Sequence, residues 1–102
     1  MTPKEREAFY DREIAPVLLE LAGKCQANEM SLFAVVEWAP GEQGRTISLR
    51  KHHGLGIRFA NLAAAMNGNV DGLFIEIEKY AREHGHNSAY LSRLGVPAKS
   101  NA

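Results

Sequence analysis

The period of the apolar residues changes along this chain, and each change marks an element. Tyr10, Ile14, Val17, Leu18, Leu21 and Cys25 recur at spacings of three, four and seven, which places them on one stripe of an amphipathic helix facing a core. Upstream, Thr2 stands as an N-cap, Pro3 suits the first helical position, and Glu5 completes a capping box. Glu5, Glu7, Asp11 and Glu13 favour the positive end of the helix dipole and Lys24 the negative end, so polarity and direction agree. Pro16 interrupts the pattern. Its ring clashes with the carbonyl of Arg12 and it lacks an N–H, which predicts a kink.

After Asn28 the texture becomes SLFAVVEW, rich in β-branched and aromatic residues, then the turn-rich APGEQG and the alternating TISLR. This predicts a β-hairpin. On its second strand Ile47 and Leu49 point one way and Thr46, Ser48 and Arg50 the other, so one face, with Arg50 on it, is expected to be wet. A lone two-stranded hairpin is marginal in water, so helices must cover one face or the outer edge must pair with another chain.

Gly54 and Gly56 punctuate the exit from the strand, and Ile57, Ala60, Leu62, Ala64 and Ala65 predict a short alanine-rich helix. GNVDG then turns into the clearest later helix, with Val70, Leu73, Phe74, Ile77, Tyr80 and Ala81 as its stripe. His84 and Gly85 suit its carboxyl end, and Ser88 caps a final AYLSRL helix stopped by Gly95 and Pro97. The expectation is an α+β fold: an N-terminal helix, an antiparallel β-hairpin, then two or three helices packed on one face of a small sheet. Residues 1–102 are expected to form a single globular domain, with 97–102 a frayed tail.

Composition supports a folded chain. The 102 residues are 45% hydrophobic and 24% charged, ordinary for a soluble domain that buries roughly two-thirds of its unfolded surface. Cys25 is the single cysteine, which excludes an intrachain disulfide and any CxxC site and suits a reducing compartment. No apolar core of signal-peptide length opens the chain, and runs such as Leu32–Val36 are too short to span a bilayer, so a cytoplasmic location with no membrane partner is expected.

Net charge is zero, yet the distribution is uneven. Arg45, Arg50, Lys51 and Arg58 lie in a stretch, RTISLRKHHGLGIR, that also holds His52 and His53 and has no acid, whereas residues 1–29 carry six acids against four bases. Three readings follow. The cations can be solvated or answered by the acidic first helix. They can neutralise phosphates of a nucleic acid, with the two histidines and Phe59 adding hydrogen bonds or stacking. Or Gly54 and Gly56, before a helix amino terminus, can help form an anion or phosphate pocket. Phe59 stands where a dinucleotide fingerprint needs its third glycine, and no P-loop pattern occurs.

The pairs His52-His53 and His84-Gly85-His86 invite a metal, but neither has i, i+4 helical spacing and no HExxH occurs, so no metal site and no cofactor are expected. His86 and Asn87 are better explained as partners for loop backbone. The serines lie in no nucleophile elbow, Cys25 falls on an apolar stripe, and nothing brings Glu37 to Glu76 or Glu78, so the chain is not expected to be an enzyme. Aromatic residues are plentiful, and Trp38 beside the turn is the first candidate for a protein-interface anchor, the alternative being that it caps the hairpin's own core.

The segments AREHGHNSAYLSRLGVP and FAVVEWAPGEQGRT resemble parts of small phage or prophage accessory proteins. The resemblance implies a protein that acts by binding a host or viral macromolecule, and assigns no residue a role. Together these features favour a non-enzymatic protein-binding module whose partner is another protein or a second copy of itself. The alternatives are a nucleic-acid-associated protein using segment 45–58 and a small anion-binding protein.

Overall fold

Thr2 caps the first helix as its sequence requires: its hydroxyl accepts from Glu5 N–H at 3.1 Å, and the Glu5 carboxylate accepts from Thr2 N–H at 3.3 Å. From there the computed structural model, which describes residues 1–99, runs α1 (Pro3–Phe9), a π-helical turn (Tyr10–Ile14), α2 (Ala15–Ala27), β1 (Leu32–Ala39), β2 (Glu42–Ser48), α3 (Leu55–Met66), α4 (Val70–His84) and α5 (Ala89–Arg93). This is the expected α+β order. Contacts divide the chain into two units, Met1–Ala64 and Ala65–Ala102.

In the first unit, the kink expected at Pro16 takes the form of the π turn. Ala15 N–H donates to the Tyr10 carbonyl, five residues back, and Pro16 then sits in the first turn of α2, where its missing N–H costs little. The extra residue resets the phase of the helix. Residues eight apart on an ideal helix are roughly 80° out of phase, but absorbing one residue brings Tyr10 and Leu18 within roughly 20°. Tyr10 and Ala22 are consequently buried on one side and Leu18 and Cys25 half-buried, while Val17 and Leu21, counted on the stripe from spacing alone, stand exposed.

That side meets the hairpin. β1 and β2 pair antiparallel, Leu32 with Ser48 through Glu37 with Gln43, and Pro40-Gly41 closes the turn with Gly41 at φ 77°. EQG, expected in the turn, opens β2 instead. Trp38 is the extra residue of a bulge: Glu37 pairs with Gln43 and Ala39 with Glu42. Its ring lies 5.1 Å from that of Tyr10 at 36°. Gly44 lies beneath the same tyrosine, and a Cβ there would come within 2.5 Å of the Tyr10 hydroxyl oxygen and 2.6 Å of two ring carbons. The helix-facing side of the sheet is therefore Leu32, Ala34, Val36, Thr46, Gly44 and Ser48.

This reverses the expected wet face. Thr46 and Ser48 are half-buried under the helices, whereas Val35 and Ile47, on the other side, are 44% and 43% exposed. Sequence alternation separates the two sides of the strand, and Gly44 marks the one that Tyr10 and α2 cover.

The second unit is built on α4. Asn69 caps it by accepting from Gly72 N–H at 2.9 Å. Ala81 is buried and Leu73 and Ile77 half-buried, but Val70 and Phe74, at the start of the same stripe, are exposed. Ser88 caps α5, accepting from Leu91 N–H at 3.1 Å, and Gly95 at φ 86° ends it, letting Val96 N–H reach the Leu91 carbonyl at 3.0 Å. Val96 is 2% exposed. Of the segment expected to fray, Ala98 offers its carbonyl to His86 N–H at 2.9 Å, and residues 100–102 lie outside the described residues.

Candidate interaction surface

The basic segment leaves β2 and enters α3, and the structure distributes its charges among different tasks. Arg45, on the exposed side of the sheet beside Ile47, reaches Asn61 Oδ1 on α3 at 3.4 Å. Next to it in the same direction, Gln43 Nε2 donates to the Ala64 carbonyl at 2.9 Å. These polar links hold α3 along that side of the sheet and leave Val35 and Ile47 largely uncovered.

Arg50 turns back toward the end of α2. Its backbone N–H donates to Ser31 Oγ at 2.9 Å, its Nη1 donates to the Glu29 carbonyl at 3.1 Å, and its Nη2 lies 3.9 Å from the Glu29 carboxylate. Glu29 itself has φ 60°, the left-handed conformation that ends a helix, and Met30 N–H closes the motif on the Cys25 carbonyl at 2.8 Å. The ion pair is exposed and contributes at most about 1 kcal/mol.

His53 continues the chain of bonds. A carbonyl can only accept, so the 2.6 Å contact with the Arg50 carbonyl puts the proton on Nδ1, and Nε2 is then the acceptor for Arg58 Nη1 at 3.3 Å. Glu29, Arg50, His53 and Arg58 thus tie the end of α2, the exit of β2 and the first turn of α3 together. Lys51 and His52 are exposed and have neither hydrogen bond nor ion pair among the described residues. Beside them lies an open cleft of about 420 Å³, lined by residues including Gln26, Met30, Leu49, Arg50 and Lys51.

The glycines do not form a cradle by close approach. The Gly54 carbonyl accepts from Arg58 N–H at 3.3 Å and Gly56 lies in the first turn of α3, and a Cβ at either would meet nothing within 4 Å. Gly56→Ala is accordingly expected to stabilise the protein by about 0.5–1 kcal/mol through helix propensity, measured by urea unfolding.

The second pair of histidines is also engaged in the fold. His84 stacks on Tyr80 with centroids 4.3 Å apart and pairs its Nδ1 with the Tyr80 carbonyl at 3.1 Å. His86 Nδ1 accepts from Ser88 N–H at 2.9 Å, so Nε2 carries the proton and donates to the Val96 carbonyl, also at 2.9 Å. Among the described residues no three His, Cys, Asp or Glu side chains converge as a metal site would require.

Trp38, expected as an interface anchor, is half-buried against Tyr10, and its carbonyl accepts from Arg6 Nε at 2.7 Å. Large apolar side chains stand exposed elsewhere: Val17, Leu19 and Leu21 on α2, Val35 and Ile47 on the sheet, Val70, Phe74 and Ile75 on α4, Tyr90 and Leu94 on and just after α5. Spacing alone places Val17, Leu21, Val70 and Phe74 in the core, and the structure exposes all four. Leu19 and Ile75 fall off both helical stripes, so their exposure agrees with the spacing. No helix among the described residues is long and apolar enough to cross a membrane. No protein-family model, curated protein or solved structure matches this chain.

Proposed function

We propose that this chain is a non-enzymatic interaction module, acting in the cytoplasm, whose ligand is another protein surface. One observation carries the reading. Among the described residues fourteen large hydrophobic side chains are exposed, against four hydrophobic residues that are buried. Scattered exposed apolar residues are normal, but here α2 carries them beyond the stripe it buries, and a helix apolar on several sides is usually covered on several sides. The cations offer a weaker basis, because Arg50 and Arg58 are engaged inside their own unit.

Affinity capture from native lysate, with and without nuclease, tests this. A discrete, nuclease-resistant set of proteins is expected on the wild-type chain and its loss on Val17→Glu/Leu21→Glu, a variant that spares the buried Tyr10 and Ala22. Capture that nuclease abolishes, and that Arg45→Ala/Lys51→Ala weakens, would transfer the function to nucleic-acid binding through segment 45–58.

A further inference from the structure

Among the described residues the sheet has two strands and therefore two open edges. Along β1 the backbone groups of Leu32–Val36 that point away from β2 have no partner among the described residues. Folded proteins guard such an edge with charge, proline or a covering segment. β2 carries charged residues, Glu42 and Arg45, along its length; β1 has Leu32-Phe33-Ala34-Val35-Val36 in sequence, uncharged and free of proline and glycine. Its guards stand at the far end, where Glu37, the Trp38 bulge and the Arg6 bond to the Trp38 carbonyl interrupt the strand.

Resting on the interaction-module reading, we infer that the partner is a second copy of this chain, joined antiparallel along the β1 edge into a four-stranded sheet ordered β2-β1-β1-β2. A two-fold axis normal to the sheet keeps α1 and α2 of both copies on one side and α3 of both on the other. The unguarded run is centred on Ala34, so that residue meets its own copy. Phe33 then faces Val35 of the partner, Leu32 faces Val36, and Glu37 faces Ser31 rather than another acid. Within each copy Ile47 pairs with Phe33 and Arg45 with Val35. Rows across the dimer therefore read Ile47, Phe33, Val35, Arg45, and the exposed Val35 becomes a central-strand residue packed between the Phe33 ring of the other copy and the aliphatic stem of its own Arg45. On the helix side, small Ala34 and Thr46 residues occupy the middle row. Zero net charge means no general repulsion opposes the pairing.

Light scattering of the full chain should give twice the 11.3 kDa chain mass, Val35→Lys should return the monomer mass, and Val35→Thr, which keeps strand propensity without charge, should remain dimeric. A register test covers the case in which Val35→Lys fails to fold. In a Cys25→Ser background, Ala34→Cys should oxidise to a linked dimer, because directly opposed residues lie about 4.5–5.5 Å apart and disulfides accept that span. Thr46→Cys, on β2, should not. A wild-type monomer at high micromolar concentration, a folded Val35→Lys that stays dimeric, or linkage at Thr46→Cys in place of Ala34→Cys would each overturn the inference. The broader reading fails separately, through the capture experiment: a monomer that still loses protein partners on Val17→Glu/Leu21→Glu keeps the module and removes only the self-pairing.

Discussion

Gly44→Val is expected to unfold the unit Met1–Ala64 under conditions where the wild-type protein is folded, at a cost of about 3–5 kcal/mol. The valine Cβ alone would stand within 2.6 Å of the Tyr10 ring and hydroxyl, and that ring is held between the strand and Trp38. The tyrosine must therefore leave, forfeiting the burial it provides, and little else in the unit is fully enclosed: Tyr10 and Ala22 are its buried residues. For a domain of this size each kcal/mol shifts the midpoint by about 4–8 °C. Calorimetry should show a midpoint lowered by well over ten degrees on these terms. A double-mutant cycle isolates the cause. Once Tyr10→Ala has removed the ring, Gly44→Val should cost far less than it does alone, because the two changes destroy one contact. Full additivity would show that Gly44 matters for some other reason.

In the second unit the largest polar effect is expected from His86→Ala. The imidazole bridges Ser88 N–H and the Val96 carbonyl, both at 2.9 Å, across ten residues of chain. Alanine leaves a part-buried donor and acceptor without that bridge, a loss of about 2–3 kcal/mol at one net hydrogen bond each plus incomplete resolvation. Hydrogen exchange should locate the damage. Protection of the Val96 amide, bonded to the Leu91 carbonyl, should fall by more than tenfold, while amides in the middle of α4 change less. His52→Ala, which removes an exposed ring with no partner among the described residues, should stay within about 0.5 kcal/mol of wild type. Equal effects of the two substitutions would refute the structural role of His86.

What was legible in the sequence was local. Thr2-Pro3-Glu5 and Ser88 announce their helix starts because a cap is decided by three or four consecutive residues. The Leu73, Ile77 and Ala81 spacing announces α4 because one helix has one period. The hairpin is legible from its β-branched run and Pro40-Gly41. The π turn was not: one absorbed residue leaves no mark on spacing, yet it rotates Ala22 inward and Val17 and Leu21 outward. Gly44 looks like turn punctuation in the sequence, because its reason for being glycine is Tyr10, more than thirty positions away. The basic segment shows the same limit. Four cations in one stretch look like a surface for an anion until Glu29, His53 and Asn61 are placed beside them, and those neighbours are set by tertiary structure.

The stacking of Tyr10 on Trp38 also decides how this protein can be watched. Trp38 is the single tryptophan, and it sits against the buried ring of the unit Met1–Ala64. Its emission colour and yield are therefore an optical signal for the hairpin and its helices alone, and the unit holding α4 is dark at tryptophan wavelengths. Far-ultraviolet dichroism weighs both units, since α1 and α2 supply seven and thirteen helical residues to the first and α4 supplies fifteen to the second. A thermal scan followed by tryptophan light and one followed by helix signal are two different experiments on this chain, the first reporting on one unit and the second on both.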